Sequence, residues 1–290
     1  MALLYIERDQ WTKRCERAVE LRRRWPFAAE VLDFYGALLD VQRAGFGQAQ
    51  REAPPAGARA VAAFAVAKLL PSVVEVSVTK GPPALAGSVI ERFHEGNFAD
   101  VIERWLRGDE LPLVDRFLAR ASAGPVLEAL GSAAGAACEG PRDERHCPVC
   151  GGLPQVSYFA TSSEALQSAH RYLECSRCAT SWAYPRLACA ACGESEGARL
   201  SVLSEIGTAQ AEVSGEMIKS GTARSNLDPS VTFPHLRIDG CKTCKHFILT
   251  VNLERDAKAV PLVDELAAIP LTLYANEHGL NKAVPNLMGL

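Results

Sequence analysis

Four Cys-x-x-Cys pairs, Cys147/Cys150, Cys175/Cys178, Cys189/Cys192 and Cys241/Cys244, lie in the second half of this 290-residue chain. They restrict its fold and chemistry more than any other feature. Two intervening residues let a tight turn aim both sulfurs at one point, and backbone N–H groups in that turn can hydrogen-bond the thiolates. A residue with positive φ completes such a turn, which favours glycine just after the second cysteine. Gly151 and Gly193 occupy that place, whereas Ala179 and Lys245 follow the other two pairs. The order is thus a glycine turn, a turn without glycine, and the same again, an internal two-fold repetition. It predicts sequential pairing: Cys147, Cys150, Cys175 and Cys178 in one tetrahedral site, and Cys189, Cys192, Cys241 and Cys244 in the next. Tetrahedral sulfur sites suit zinc or a single iron, so two metal ions per chain, iron or zinc, are expected.

Other uses of paired cysteines fit less well. The N-terminus is too charged for a signal peptide and no run of about 18 apolar residues exists. A cytoplasmic protein without a membrane span is therefore expected, where thiols stay reduced and disulfides are rare. A thioredoxin-like redox motif opens a helix within a βαβ unit, and none of the four pairs does. His146 and His246 flank cysteine pairs and are expected on the surface or behind the ligands. Cys15 and Cys138 have no partner at ligand spacing and read as small core residues. Arg171, Arg177, Arg186, Lys242 and Lys245 lie near the pairs in sequence and are available to offset a tetrathiolate's negative charge.

Only Cys15 and Cys138 precede the pairs, and the polar stretch 139–145 reads as a linker. The expected domains are therefore a helical one, 1–140, and a double metal-binding one, 141–290. In the first, apolar spacings of three and four predict helices around Trp11–Leu21 and Val31–Val41. Further helices are expected at Gly57–Leu70, Ala84–Glu95, Phe98–Leu106, Pro112–Ala121 and Pro125–Cys138. The β-branched run Val73–Thr79 reads as a short strand or an irregular connection. Pro112 and Pro125 both suit a first helical turn. In the second domain, short strands are expected at Gln155–Phe159, His170–Glu174, Thr180–Tyr184, Arg199–Leu203, His235–Asp239 and Phe247–Leu253. A surface loop around Ser214–Pro234 accounts for the long spacing before Cys241. A helical tail over Pro261–Tyr274 is kinked or cut short by Pro270. The fold class is α+β: an N-terminal all-helical domain, two tandem rubredoxin-like or zinc-ribbon modules and a C-terminal helix. Short strands and long loops leave the metal to supply much of the second domain's folding energy.

Several segments resemble a known family. These are His146-Cys-Pro-Val-Cys-Gly-Gly-Leu-Pro154, Arg171-Tyr-Leu-Glu-Cys-Ser-Arg-Cys-Ala-Thr-Ser-Trp182, Cys189-Ala-Ala-Cys-Gly193 and the ending Asn286-Leu-Met-Gly-Leu290. Together they resemble FdhE, the formate dehydrogenase accessory (formation) protein family, across residues 146–290. The resemblance implies a cytoplasmic rubredoxin-like metalloprotein that assists maturation of a molybdenum or tungsten formate dehydrogenase. It implies contact with the catalytic subunit of that enzyme, no dehydrogenase activity of its own, and the eight paired cysteines as metal ligands. A homodimer is carried beside a monomer. The Lys245-His246-Phe247 run after Cys244 departs from the family's small residue and tyrosine.

The residues themselves offer no Ser-His-Asp arrangement, phosphate-binding glycine loop or carboxylate pair. That leaves an assembly factor first, a rubredoxin-like iron electron carrier second and a nucleic-acid-binding ribbon third. The formal net charge of −3 argues against the last.

Overall fold

The computed structural model describes residues 2–161, 170–205 and 231–289, with side chains from residue 10 onward. Most of the expected loop Ser214–Pro234 lies outside the described residues. Seven α-helices come first: α1 (Ala2–Arg24), α2 (Ala29–Glu52), α3 (Ala58–Lys68), α4 (Leu70–Lys80), α5 (Pro83–Glu95), α6 (Phe98–Arg107) and α7 (Leu113–Leu130). A 3-10 turn over Gly131–Ala137 follows α7. The central helix is α2, which is apolar on more than one face. Leu32, Tyr35, Leu39 and Phe46 join the core against the sheet. Phe34 and Leu38 join a second core with α4, α5 and α7. Ala49 joins a third, made with α3, α6 and α7.

Two expectations are corrected in this region. The β-branched run Val73–Thr79 is helical, within α4. Leu70, Val73 and Ser77 fall at helical spacing and are buried, and the Ser77 hydroxyl donates to the Val73 carbonyl at 2.7 Å. Packing of that stripe outweighs the modest helix penalty of β-branched residues. Pro125 does not open a separate helix but lies inside α7. Proline lacks the N–H that would bond the carbonyl of Ala121. The Gln42 side chain of α2 supplies the donor instead, Nε2 to Ala121 O at 3.0 Å.

The strands are β1 (Pro154–Phe159), β2 (Arg171–Cys175), β3 (Ser181–Ala183), β4 (Leu200–Leu203), β5 (Leu236–Cys241), β6 (His246–Asn252) and β7 (Asn281–Lys282). All but β7 lie within a residue or two of where alternation and β-branching place them. They form one sheet of order β3-β2-β1-β6-β5-β4, with β7 beside β6. The internal repeat is explicit in the register. Pro154, which begins β1, pairs with Cys175, and Leu200, which begins β4, pairs with Cys241. Each module is thus a cysteine turn, an antiparallel strand pair whose second strand ends at the next cysteine turn, and a third strand. The two modules join through parallel pairing of β1 with β6, Val156 opposite Leu249.

The tail forms two short helices, α8 (Pro261–Ala267) and α9 (Ile269–Glu277), with Pro270 in the first turn of α9. Val263, Leu266 and Ala267 of α8 share a core with Trp11, Leu21 and Trp25 of the N-terminal region and with Val156, Ile238 and Leu249 of the sheet. A buried ion pair fixes that junction. Arg17 of α1, 2% exposed, donates to both carboxylate oxygens of Asp264 at 2.6 and 2.9 Å and to Asp256 at 2.7 Å. His235 Nε2 lies 2.8 Å from Asp264, and the Val260 N–H donates to the same carboxylate at 2.7 Å. Removing one partner of such a pair strands a buried charge, at about 3–5 kcal/mol. Arg17→Met is expected to lower unfolding free energy by about that amount, read from the denaturant midpoint. Arg17→Met with Asp264→Leu is expected to recover only part of it, since the double change removes the buried pair but leaves Asp256, His235 and the Val260 N–H without their partner.

Candidate metal centres

The first two cysteine turns flank β1 and β2, and the structure brings their four sulfurs together. Cys147 Sγ lies 3.6 Å from Cys178 Sγ, and Cys150 Sγ lies 3.3 Å from Cys175 and 3.4 Å from Cys178. The third and fourth turns do the same, with Cys189–Cys244 and Cys192–Cys241 both at 3.7 Å. Within each group of four, all sulfurs fall inside 4.8 Å of one another. Every cysteine is free of disulfide bonding. A disulfide needs about 2.05 Å between sulfurs. Four ligands on metal–sulfur bonds of about 2.3 Å define a tetrahedron with edges near 3.8 Å. The second group matches that edge, and the first is slightly contracted. Each cluster can hold one metal ion.

The turns explain why the chain folds this way locally. Gly151 N donates to Cys147 O, Gly193 N to Cys189 O, and Lys245 N to Cys241 O, at 2.9 to 3.0 Å. The backbone N–H of Arg177 points at Cys175 Sγ, 3.3 Å away. The residue after each second cysteine has positive φ: Gly151 at 71°, Ala179 at 51°, Gly193 at 82° and Lys245 at 59°. The repeat therefore extends to backbone conformation, and two of its four turns place a non-glycine residue in the left-handed region.

The thiols of each group are electrostatically coupled. In the first, hydrogen bonds from Cys150, Cys175 and Cys178 draw the Cys147 thiol far down. Burial pushes Cys175 well up, and the hydrogen bond with Cys147 does the same to Cys178. One thiolate forms readily and the next ones repel it, so full ionisation requires a cation at the centre. In the second group, burial acts to raise Cys241, yet the N–H groups of Cys244 and Thr243 carry it down to about 7.

The surroundings differ sharply. The first four cysteines are buried and belong to the core that contains Ala49, Val61, Ala65, Trp105, Leu106 and Leu127. The second cluster sits at the rim, with Cys192 exposed and Cys244 half-buried. His146 Nδ1 engages Asp143 at 2.7 Å and His246 Nδ1 engages the Cys244 carbonyl at 2.8 Å, so neither ring aims at a sulfur. Cys15 is half-buried against the first core. Cys138 is 6% exposed and hydrogen-bonds Cys150, which draws its thiol below the ordinary range. No spacing rule marks Cys138 as a neighbour of the cluster.

Among the nearby cations, Lys242 and Lys245 are exposed. Arg177 is half-buried, and its guanidinium approaches the carbonyls of Glu139, Leu106 and Cys150 at 3.2 to 3.5 Å. It therefore stitches the second turn to the end of α6. Arg171 is buried beside Ser157 and the Ala188 carbonyl, 3.3 Å from Asp239. Arg142, in the stretch just before Cys147, wraps the first turn, and Arg120 of α7 shares a small cavity with Cys175.

This architecture is a helical protein bearing two tandem rubredoxin-like four-cysteine modules in one sheet. Residues 146–186 match the family model described as FdhE, central domain. A stretch of 146 residues, half of this chain, is 33% identical to the FdhE homolog of Aquifex aeolicus and covers 42% of that protein. A 142-residue stretch, 49% of this chain, is 30% identical to the Pseudomonas aeruginosa homolog and covers 38% of it. The matched stretches thus span less than half the length of these curated relatives. The fold extends further: the crystal structure of the FdhE protein from Pseudomonas aeruginosa superposes with a TM-score of 0.60 at 22% identity, over 97% of this chain and 95% of that one. The resemblance to the FdhE family holds in the cysteine segment by sequence and across the chain by fold.

The glycine turns supply a graded test. A Cβ on Gly151 would lie 3.0 Å from both Gly140 C and Pro141 O, whereas one on Gly193 would meet nothing nearer than Arg145 Cδ at 3.5 Å. Gly193→Ala is expected to cost about 1 kcal/mol for left-handed backbone alone, and Gly151→Ala about 3 kcal/mol once backbone crowding is added. Chemical denaturation of the metal-loaded variants measures both.

Proposed function

We propose that this chain is an accessory factor for maturation of a molybdenum or tungsten formate dehydrogenase. It acts in the cytoplasm by binding that enzyme's catalytic subunit and does not itself turn over formate. The eight paired cysteines hold two metal ions, iron or zinc, one per group. The observation that carries this reading is that each cluster has its full set of four sulfur donors. Four sulfurs already complete a tetrahedral shell, and a hydrolytic metal site needs an open position. No single described helix is long and apolar enough to cross a membrane, which suits a factor that meets its client before export or assembly. The helical unit, 1–140, and the double metal unit, 141–290, would together present the docking surface, with exposed Lys242 and Lys245 on its rim.

The bound ions would supply cross-linking of distant strands, and the chain's own N–H groups would disperse the thiolate charge. A second reading, a rubredoxin-like electron carrier, is favoured by the exposure of Cys192. A coloured iron form with a reversible redox couple would favour that reading.

Metal analysis of the purified protein is expected to give two ions per chain. The double substitution Cys175→Ser, Cys178→Ser is expected to leave one, held by Cys189, Cys192, Cys241 and Cys244. Loss of both ions from that variant would contradict the assignment of ligands. For the cellular role, deleting the gene is expected to abolish formate-dependent dye reduction while the catalytic polypeptide is still made. The tagged protein, purified anaerobically from its own cells, is expected to carry that polypeptide with it. Full activity in the deletion strain, or no association, would contradict the accessory role.

A further inference from the structure

A metal ion in a tetrathiolate shell carries net charge −2, and burying that charge is costly unless counter-charges are at hand. The two clusters meet this demand differently. Around the first, Arg142 and Arg177 hydrogen-bond the turns and Arg120 shares a cavity with Cys175; among the described residues none of the three forms a direct ion pair, although Glu128 lines the cavity of Arg120. Arg142 donates to the carbonyls of Gly140, Val149, Cys138 and Gly135 at 2.8 to 3.3 Å, wrapping the first turn. Arg177 lies between the second turn and α6, over the Trp105 ring. Arg120 of α7 bonds only the Pro285 carbonyl, at 3.0 Å, and lines a cavity of about 60 Å³ together with Cys175.

Around the second cluster three arginines each face a carboxylate, while Lys242 and Lys245 beside the fourth turn are exposed to solvent screening. Arg145, whose stem lies against Gly193, pairs with Asp143 at 3.3 Å. Arg199 pairs with Glu196 at 2.8 Å and lies 3.9 Å from Glu194. Arg171, beside the Ala188 carbonyl, faces Asp239. Glu194 itself, hydrogen-bonded by Thr243 at 2.7 Å, bridges the third and fourth turns and adds negative charge there. Nor is this cluster sealed, since Cys192 is exposed and Cys244 half-buried, against four buried sulfurs in the first.

We infer that the two sites have divided roles: the first is a permanent structural site neutralised by Arg120, Arg142 and Arg177, and the second is an exchangeable site that opens at Cys192. This rests on the reading of the eight cysteines as metal ligands. A thiol-bearing molecule is the class of partner the opening fits. An incoming thiol that takes the place of Cys192 passes its proton to the Cys192 sulfur, so ligand number and charge are conserved and no electrons move. The first site offers no exposed sulfur: its four cysteines are buried among Trp105, Leu106 and Leu127, and the small cavity that reaches Cys175 is lined by Arg120 and Arg177.

The test uses the full chain loaded with zinc and shown by metal analysis to hold two ions. Excess chelator is expected to remove one ion at least about tenfold faster than the other, in line with the effect of outer partners on metal affinity. Iodoacetamide present during the fast phase is expected to label Cys192 and Cys244, located by peptide mass spectrometry, while Cys147, Cys150, Cys175 and Cys178 stay unlabelled. Arg120→Met and Arg142→Met are each expected to speed the slow phase by about 10–100-fold and leave the fast phase unchanged, with Arg120→Lys restoring most of the difference. Since Arg142 is exposed, its variant tests the charge argument even if the Arg120 variant folds poorly. Two ions leaving in one phase, first labelling at Cys147–Cys178, or an unaltered slow phase in the Arg142 variant would overturn the inference while the ligand assignment stands. A stoichiometry other than two would overturn the assignment and the inference together.

Discussion

Four thiolates held within hydrogen-bonding distance of one another inside an apolar core are unstable without a cation among them. The rest of this structure depends on that constraint. The cluster of Cys147, Cys150, Cys175 and Cys178 is packed by Val61, Trp105, Leu106 and Leu127, residues of the helical half. The helices thus pack directly on the cluster. The same ion that would close the first ribbon would also complete the core beneath α3, α6 and α7. Short strands and long loops alone suggest that the metal supplies the folding energy of the second half. The packing enlarges that claim, because the sheet also shares a core with α1, α2, α8 and α9 and is pinned to them by Arg17 and Asp264.

The legible parts of the fold were those set by short-range chemistry. A two-residue spacer between cysteines dictates a turn, alternating β-branched residues dictate strands, and the repeat of glycine and non-glycine turns dictates sequential pairing. Interactions between distant residues were not legible. Pro125 stays inside α7 because Gln42, on a different helix, bonds the carbonyl that proline frees. Val73–Thr79 is helical because its stripe meets α2 and α7, which local propensity does not register. Ala179 and Lys245 adopt positive φ because the cysteine turn requires it, although nothing in their side chains favours it. The parallel pairing of β1 with β6, which turns two ribbons into one sheet, has no local signature at all.

The candidate site divides along the same line. The eight cysteines announce themselves by spacing. Of the groups that set their electrostatic environment, Arg171 and Arg177 are legible from their place beside the pairs, whereas Arg120 is delivered by α7. Lys242 and Lys245 are close in sequence to the fourth pair yet point to solvent. Proximity along the chain is a partial guide to which cation a buried anion meets, because packing draws Arg177 onto the first site and leaves Lys242 and Lys245 exposed. Two sites built on one repeated motif therefore diverge through what is packed around them, one sealed by helices and one left at the rim of the sheet.

The most direct test of this account is amide hydrogen exchange, compared between the metal-loaded protein and the same protein after verified metal removal. If the first cluster is part of the core on which the helices pack, removal will strip protection from the turns around Cys147 and Cys175 and also from α6, α7 and the 3-10 turn that follows. Unchanged protection of α6 and α7 in protein shown to hold no metal would contradict the account, for it would mean that the helical half is stable without the cluster it encloses.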